Sequence, residues 1–332
     1  MTLLNNDEVT MAHVWKAKRR IRSLVRPTPL IHSASLSDVT GANVYLKLET
    51  MHPTGAFKLR GAANKILSLS LEQQRQGVAT FSTGNHGIAV AYVAKQLGIP
   101  ATIYLSRRVP QTKIDQLERL GAQVEKVGEN QDDAAACCYE YQDKKGYTVI
   151  KPFDDIDIIA GQGTIGLEIL EACPDIDKML VPLSGGGLLA GIALALKQTN
   201  PHIDVTGLSI EGAAVMHESL KAGHPVILPE EDTLADSLLG GIGADNLYTF
   251  KMVQRYMDHS LQVSETAIAD GMIHLLTHHK MAVEGAAAVG PGWLLQQTLE
   301  PDQTVVAVIS GNNVNVNELA RLVTDQNHQH QM

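Results

Sequence analysis

Basic charge is in short supply: 27 Lys and Arg stand against 36 Asp and Glu, a net charge of -9. A nucleic-acid polyanion is therefore excluded as the main partner. Cysteine is scarce too. The three present (Cys137, Cys138, Cys173) form no CxxC pair and are odd in number, which fits free thiols in a reducing cytosol and not a disulfide framework. No apolar run is both long and unbroken. The uncharged stretch over 179–196 has the length of a membrane span, but Pro182 and Ser184-Gly185-Gly186-Gly187 interrupt it, so it reads as strand, glycine turn and buried helix. The N-terminus lacks the order of a secretory signal, since Asp7 and Glu8 precede the basic stretch and no apolar segment follows. Internal repeats and low-complexity linkers are absent as well. These absences lead us to expect a soluble, cytoplasmic protein with neither nucleic acid nor membrane as a partner.

What is present is an ordinary globular balance, 44% hydrophobic and 19% charged over 332 residues, enough for about two domains at roughly 150 residues each. The one basic cluster (Lys16, Lys18, Arg19, Arg20, Arg22, Arg26) interleaves with Val14, Ala17, Ile21 and Leu24 at helical spacing. That pattern is the solvated face of an amphipathic helix. Strand-like and helix-like segments then alternate. Strands are expected over 44–48, 78–82, 101–105, 123–127, 179–183, 205–210 and 305–309. Helices are expected over 56–69, from 85 to a stop at Gly98, and over 111–120, 132–144, 188–197, 265–276 and 284–296, with one more closing the chain. Helices of this length between strands imply right-handed crossovers, parallel sheets and an α/β fold. Ligands in such folds bind at the carboxyl ends of strands.

Three strand-to-helix junctions carry unusual residues. The segment Pro53-Thr54-Gly55-Ala56-Phe57-Lys58 puts a lysine in the first turn of a helix, where the macrodipole disfavours its charge by about 0.3–1 kcal/mol. That suits an amine that must be nucleophilic; taken alone, it equally describes a surface lysine. Ser82-Thr83-Gly84-Asn85-His86-Gly87 gathers two hydroxyls, an amide and an imidazole at a helix start, a setting for a carboxylate or phosphate. A helix cap would explain one such residue, but hardly four. Ser184-Gly185-Gly186-Gly187-Leu188 can fold into a nest of amides around phosphate oxygens. The same segment matches GxGxxA through Gly185, Gly187 and Ala190, with Glu211 ending the next strand as a ribose-binding acid would. It does not by itself separate a dinucleotide from another phosphate-bearing cofactor. A fourth polar turn, Ser310-Gly311-Asn312-Asn313, follows the last strand and alone reads as a helix cap.

In this order, the segments resemble the fold-type II pyridoxal phosphate (PLP) enzymes of the serine/threonine dehydratase and serine racemase group, whose fold is that of the tryptophan synthase β subunit. The likeness runs from Arg26-Pro27-Thr28-Pro29-Leu30 to Ser310. It includes Tyr45-Leu46-Lys47-Leu48-Glu49, Ala160-Gly161-Gln162-Gly163-Thr164 and Thr233-Leu234-Ala235-Asp236. The details of the 82–87 loop and of residues 235–250 look closer to dehydratases of hydroxyectoine utilisation. The resemblance implies two three-layer α/β/α domains with mostly parallel sheets: a discontinuous large PLP-binding domain over 1–76 and 151–332, and a small one over 77–150. It implies that Lys58 holds PLP as a Schiff base and, once displaced, acts as the base at the substrate Cα. Phe57 would lie against the pyridine ring, and Asn85 would hydrogen-bond its 3′ oxygen. Gly185, Gly186, Gly187 and Leu188 would bind the phosphate, and Ser310 would face the ring nitrogen. Ser82, Thr83, Asn85 and His86, with nearby backbone amides, would receive the substrate. The phosphate would also help to protonate the leaving hydroxyl.

The activity so implied is elimination of the hydroxyl of L-threonine or L-serine, giving a 2-oxo acid and ammonia, in a homodimer. Departures from the pattern bear on the details. Ala56 replaces a common serine. Thr83 stands where racemases carry a proton-donating serine, which leaves racemase activity open. Ser237 replaces a glycine. Relatives often bind a divalent cation through an acid at the position of Glu211 and a second six residues on, where this chain has His217, so a metal is doubtful. No feedback by amino acids is expected. The alternatives are a serine racemase, an ammonia-lyase for 3-hydroxyaspartate or a hydroxyectoine-derived amino acid, and an NAD-dependent dehydrogenase built on the GxGxxA segment.

Overall fold

The computed structural model describes residues 8–329 apart from 83, 110, 130 and 230. Its strands are β1 (Leu30–His32), β2 (Asn43–Leu48), β3 (Val78–Thr80), β4 (Ala101–Leu105), β5 (Gln123–Lys126), β6 (Thr148–Val149), β7 (Lys178–Pro182), β8 (Asp204–Ile210), β9 (His259–Val263) and β10 (Thr304–Ile309). They form two sheets, ordered β1-β2-β10-β7-β8-β9 and β5-β4-β3-β6. Every pairing is parallel except β1 with β2. The central strands are apolar on both faces, Val305–Ile309 being buried throughout, as parallel strands covered by helices must be.

Each sheet is the middle of three layers. One face of the larger sheet is covered by helices Ile156–Ala172, Gly187–Thr199 and Thr249–Tyr256, the other by Ala34–Thr40, Glu265–His279 and Gly285–Leu294. The smaller sheet packs one face on helices Asn85–Leu97 and Gln111–Arg119 and the other on Gln131–Lys145. This is the expected α/β architecture with mostly parallel sheets. The N-terminal amphipathic helix is Met11–Ile21, with Val14, Ala17 and Ile21 buried. Its basic face finds acids on a neighbouring helix, Lys18 pairing with Glu171 and Arg20 with Asp157. The uncharged run over 179–196 is β7, a glycine turn and a buried helix. Among the described residues, no helix is long and apolar enough to cross a membrane.

Several boundaries move for tertiary reasons. The helix expected from Ala56 starts at Lys58, because Ala56 bridges Gly311 and the Phe57 N–H donates to the Ser310 carbonyl. The strand expected over 78–82 ends at Thr80. The long helix Ile156–Ala172, capped by Asp155, was hidden in the sequence. It is apolar on nearly every side and carries three glycines, so it shows no amphipathic period.

Candidate active site

β10, the last strand in sequence, lies between β2 and β7. Its carboxyl end therefore sets Ser310 between the loop that leads from β2 to Lys58 and the glycine turn that follows β7. Lys58 is the first residue of helix Lys58–Ser68, and its Nζ donates to the Pro152 carbonyl at 2.7 Å. The amine lies 5.2 Å from the centroid of the Phe57 ring. The side chain as a whole is half-buried, but the amine is enclosed, and desolvation lowers its pKa to about 8.

The glycine turn is dictated by its surroundings. Gly186 has φ +84°, and a Cβ on Gly185 would stand 2.5 Å from the Phe153 ring. No other residue fits both places. Gly187 and the buried Leu188 open the following helix, so their N–H groups face the turn. Segment 152–154 was missed by sequence reasoning, though Pro152-Phe153-Asp154 comes two residues after the end of β6. Pro152 receives Lys58, Phe153 covers the glycines, and Asp154 accepts the N–H groups of Leu247, Tyr248 and Thr249 at 2.8–2.9 Å. That last contact caps helix Thr249–Tyr256.

The 82–87 loop opens helix Asn85–Leu97. Ser82 is half-buried, and among the described residues its hydroxyl has no protein partner. Asn85 donates to both oxygens of Glu284 at 3.0 and 2.9 Å and accepts from Asn313 Nδ2 at 2.6 Å. Thr83 lies outside the described residues. One expectation is corrected: the His86 imidazole is not available to a carboxylate. The ring is 2% exposed and its Nε2 lies 2.9 Å from the Ile150 carbonyl. Burial first, and then the Lys58 charge, lower its pKa to about 3. The ring is neutral, with Nε2–H donating to Ile150, so His86 can offer its main-chain N–H at the helix start but not its side chain. Glu211 ends β8 exposed, and the Nδ1 of His217 pairs with Ser260 at 2.7 Å. Among the described residues, no cluster of three or more His, Cys, Asp or Glu could hold a metal ion.

A framework of buried charge fixes the lysine-bearing helix. Arg60, fully buried, donates to Glu49 at 2.7 and 2.9 Å and to Glu168 at 2.5 and 2.8 Å. Lys47 donates to Glu168 at 2.6 Å and to the Thr28 carbonyl at 2.7 Å. The segments around Thr28, Lys47 and Glu49 thus serve the scaffold. Their acids are held ionised by Arg60, which keeps the Glu49 carboxyl far below the usual carboxylate range.

The donor set suits PLP. Ser310 is a largely buried residue at the strand end whose hydroxyl has no protein partner among the described residues. A cradle that admits no Cβ adjoins an enclosed, weakly basic amine. An aldehyde, a ring heteroatom and a phosphate would all be met, which defines a phosphate-anchored carbonyl-cofactor site in a three-layer α/β protein. Comparisons with known proteins place the chain more closely. The family model described as pyridoxal-phosphate dependent enzyme matches residues 21–311, and the chain belongs to that family. It is 45% identical to a putative threonine dehydratase of Sinorhizobium fredii, over 93% of this chain and 94% of the relative. It is 41% identical to an L-threonine ammonia-lyase of Thermotoga maritima, over 95% and 78%. The structure of maize serine racemase superposes with a TM-score of 0.89 at 34% identity, covering 98% of this chain and 99% of the other. That of the processed threonine deaminase isoform 2 of Solanum lycopersicum gives 0.85 at 32%, covering 97% and 91%. The cofactor is therefore PLP, and the dinucleotide reading of Gly185, Gly187, Ala190 and Glu211 is set aside.

Proposed function

We propose that this chain is a PLP-dependent lyase that eliminates the β-hydroxyl of a small neutral hydroxy-amino acid, L-threonine or L-serine, yielding a 2-oxo acid and ammonia. The observation that carries this reading is the enclosed, desolvated amine of Lys58 beside the glycine turn, Ser310 and Asn85. The names of the relatives support the substrate class.

Bound PLP supplies the electron sink for a carbanion at the substrate Cα. Lys58 carries the cofactor and, once released, takes the Cα proton as a neutral amine; the Pro152 carbonyl receives its N–H and keeps it aimed. Gly185, Gly186, Gly187 and Leu188 hold the phosphate with main-chain N–H groups, and Phe57 flanks the ring. Ser310 offers the ring nitrogen a neutral hydroxyl. Unlike a carboxylate, it does not favour protonation there, so the sink stays moderate, and prompt loss of the β-hydroxyl, which takes up a proton and leaves as water, is favoured. Ser82 and the N–H groups of Asn85 and His86 receive the substrate carboxylate; Thr83, assigned a catalytic part from its place in the sequence, lies outside the described residues. We place the segment 77–150, which carries β3–β6, as the small domain and the remainder as the large one, in a cytoplasmic homodimer. The three free thiols suit that compartment.

Purified protein is expected to be yellow, and Lys58→Ala to lose both the visible band and at least about 10³-fold of its rate. A colourless native protein that binds no PLP would overturn the reading. Supplied with L-threonine, L-serine, 3-hydroxyaspartate and a hydroxyectoine-derived amino acid, the enzyme should release 2-oxo acid and ammonia fastest from the first two. Formation of D-serine faster than ammonia would make it a racemase.

A further inference from the structure

Glu284 is the one buried acid at the site that the roles above leave unused. It is 6% exposed, and three donors converge on its carboxylate: Asn85 Nδ2 at 2.9 and 3.0 Å, the Asn313 N–H at 2.8 Å and the Ser237 hydroxyl at 2.9 Å. No Lys, Arg or His among the described residues pairs with it. The charged group that acts on it is another acid, Asp236. An uncompensated buried carboxylate costs several kcal/mol unless hydrogen bonds or a charged ligand offset it. Burial, with some help from Asp236, raises its pKa, while Asn85, Asn313 and Ser237 pull it back.

The contacts also fix Asn85. Its Nδ2 faces only acceptor oxygens and its Oδ1 faces the Asn313 amide donor, so a single flip of the side chain is satisfied. One Nδ2–H is committed to Glu284, which leaves the second for the cofactor's 3′ oxygen.

We propose that Glu284 is a positioning residue: its carboxylate locks the Asn85 amide against the 3′ oxygen of PLP and, through that hydrogen bond, favours the protonated form of the Schiff base. Ser237, which replaces the family's usual glycine, is the third donor on this carboxylate and favours its ionised form against the burial that raises its pKa. The inference rests on the placement of Asn85 proposed above.

The test is a spectroscopic titration of the PLP-loaded protein, following the ratio of its visible to its near-ultraviolet band across pH. Glu284→Gln keeps the shape and one acceptor oxygen for Asn85 and the Asn313 N–H, turns its amide to the Ser237 hydroxyl, which can accept, and removes the charge. It should lower the pH at which the bands balance by about one unit, tenfold in proton affinity, in a protein whose circular dichroism is unchanged. Ser237→Ala should shift it in the same direction by less. A Glu284→Gln titration that coincides with wild type, while Asn85→Ala changes the spectrum, overturns the role of Glu284 and leaves the proposed function standing. If Asn85→Ala also leaves the spectrum unchanged, the placement of Asn85 fails and this inference with it. Should Glu284→Gln not fold, an unmoved Ser237→Ala titration overturns the proposal on its own.

Discussion

Lys58 sits at the positive end of a helix with its amine enclosed, and these surroundings favour the neutral form, while the Pro152 carbonyl receives its N–H. A nucleophilic amine is needed for PLP to load. With the pKa lowered to about 8, the neutral fraction grows about tenfold per pH unit below that value and levels off above it. The rate at which cofactor-free protein regains colour with added PLP should follow that curve, measured by stopped-flow absorbance. A rate still climbing steeply two units above would mean that the amine keeps its solution basicity. His86 contributes no step to the profile near neutrality, because its ring is neutral down to about pH 3. The lysine and the glycines were legible as residues, since nucleophile and nest are each local. Pro152 and Glu284 were not. Glu284 reads in the sequence as an ordinary first residue of the helix expected over 284–296, and nothing local says that Asn85, 199 positions away, would reach it.

Among the elements, the helix Lys58–Ser68 is held by charge as well as by packing. Arg60 joins it to β2 through Glu49 and to helix Ile156–Ala172 through Glu168. Removing the Glu49 charge leaves Arg60 and Lys47 to share Glu168 alone, a buried positive charge in excess, so Glu49→Gln should cost about 3–5 kcal/mol in denaturant unfolding. A loss below about 1 kcal/mol would mean that water reaches the guanidinium. The elements themselves were largely readable. The helix expected over 111–120 is Gln111–Arg119, and the strand expected over 101–105 has those bounds. Where periodicity failed, burial was the cause: helix Ile156–Ala172 is apolar all round because it packs against helices Met11–Ile21, Lys58–Ser68 and Gly187–Thr199 at once. The short antiparallel β1 and the half-exposed β9 were missed for the opposite reason. Both are edge strands with too few apolar residues to show alternation.

For the molecule as a whole, the site joins the ends of strands from both sheets, with Asn85 reached from β3, Ser310 from β10 and the glycine turn from β7. A ligand that touches all of them adds its binding energy to the folded state alone. At about a thousandfold over Kd this is worth about 4 kcal/mol, or roughly 5–10 °C in melting temperature. PLP-loaded protein should therefore melt above the cofactor-free form by that margin in calorimetry, and Lys58→Ala should lose most of it. Equal melting temperatures would mean that PLP does not bind the folded state in preference to the unfolded one.

By itself the sequence determined the α/β class, the parallel sheets and the turns that bear Lys58, Asn85, the glycines and Ser310, because periodicity, glycine punctuation and helix starts are local properties of the chain. Only the tertiary structure decided which of those turns meet. Insertion of β10 between β2 and β7 is a matter of strand pairing over 250 residues. The same long-range packing turned the His86 ring to the Ile150 carbonyl and brought Glu284 under Asn85. Neither contact has a signature in the sequence, since each depends on which buried polar group finds a partner once the two sheets are in place.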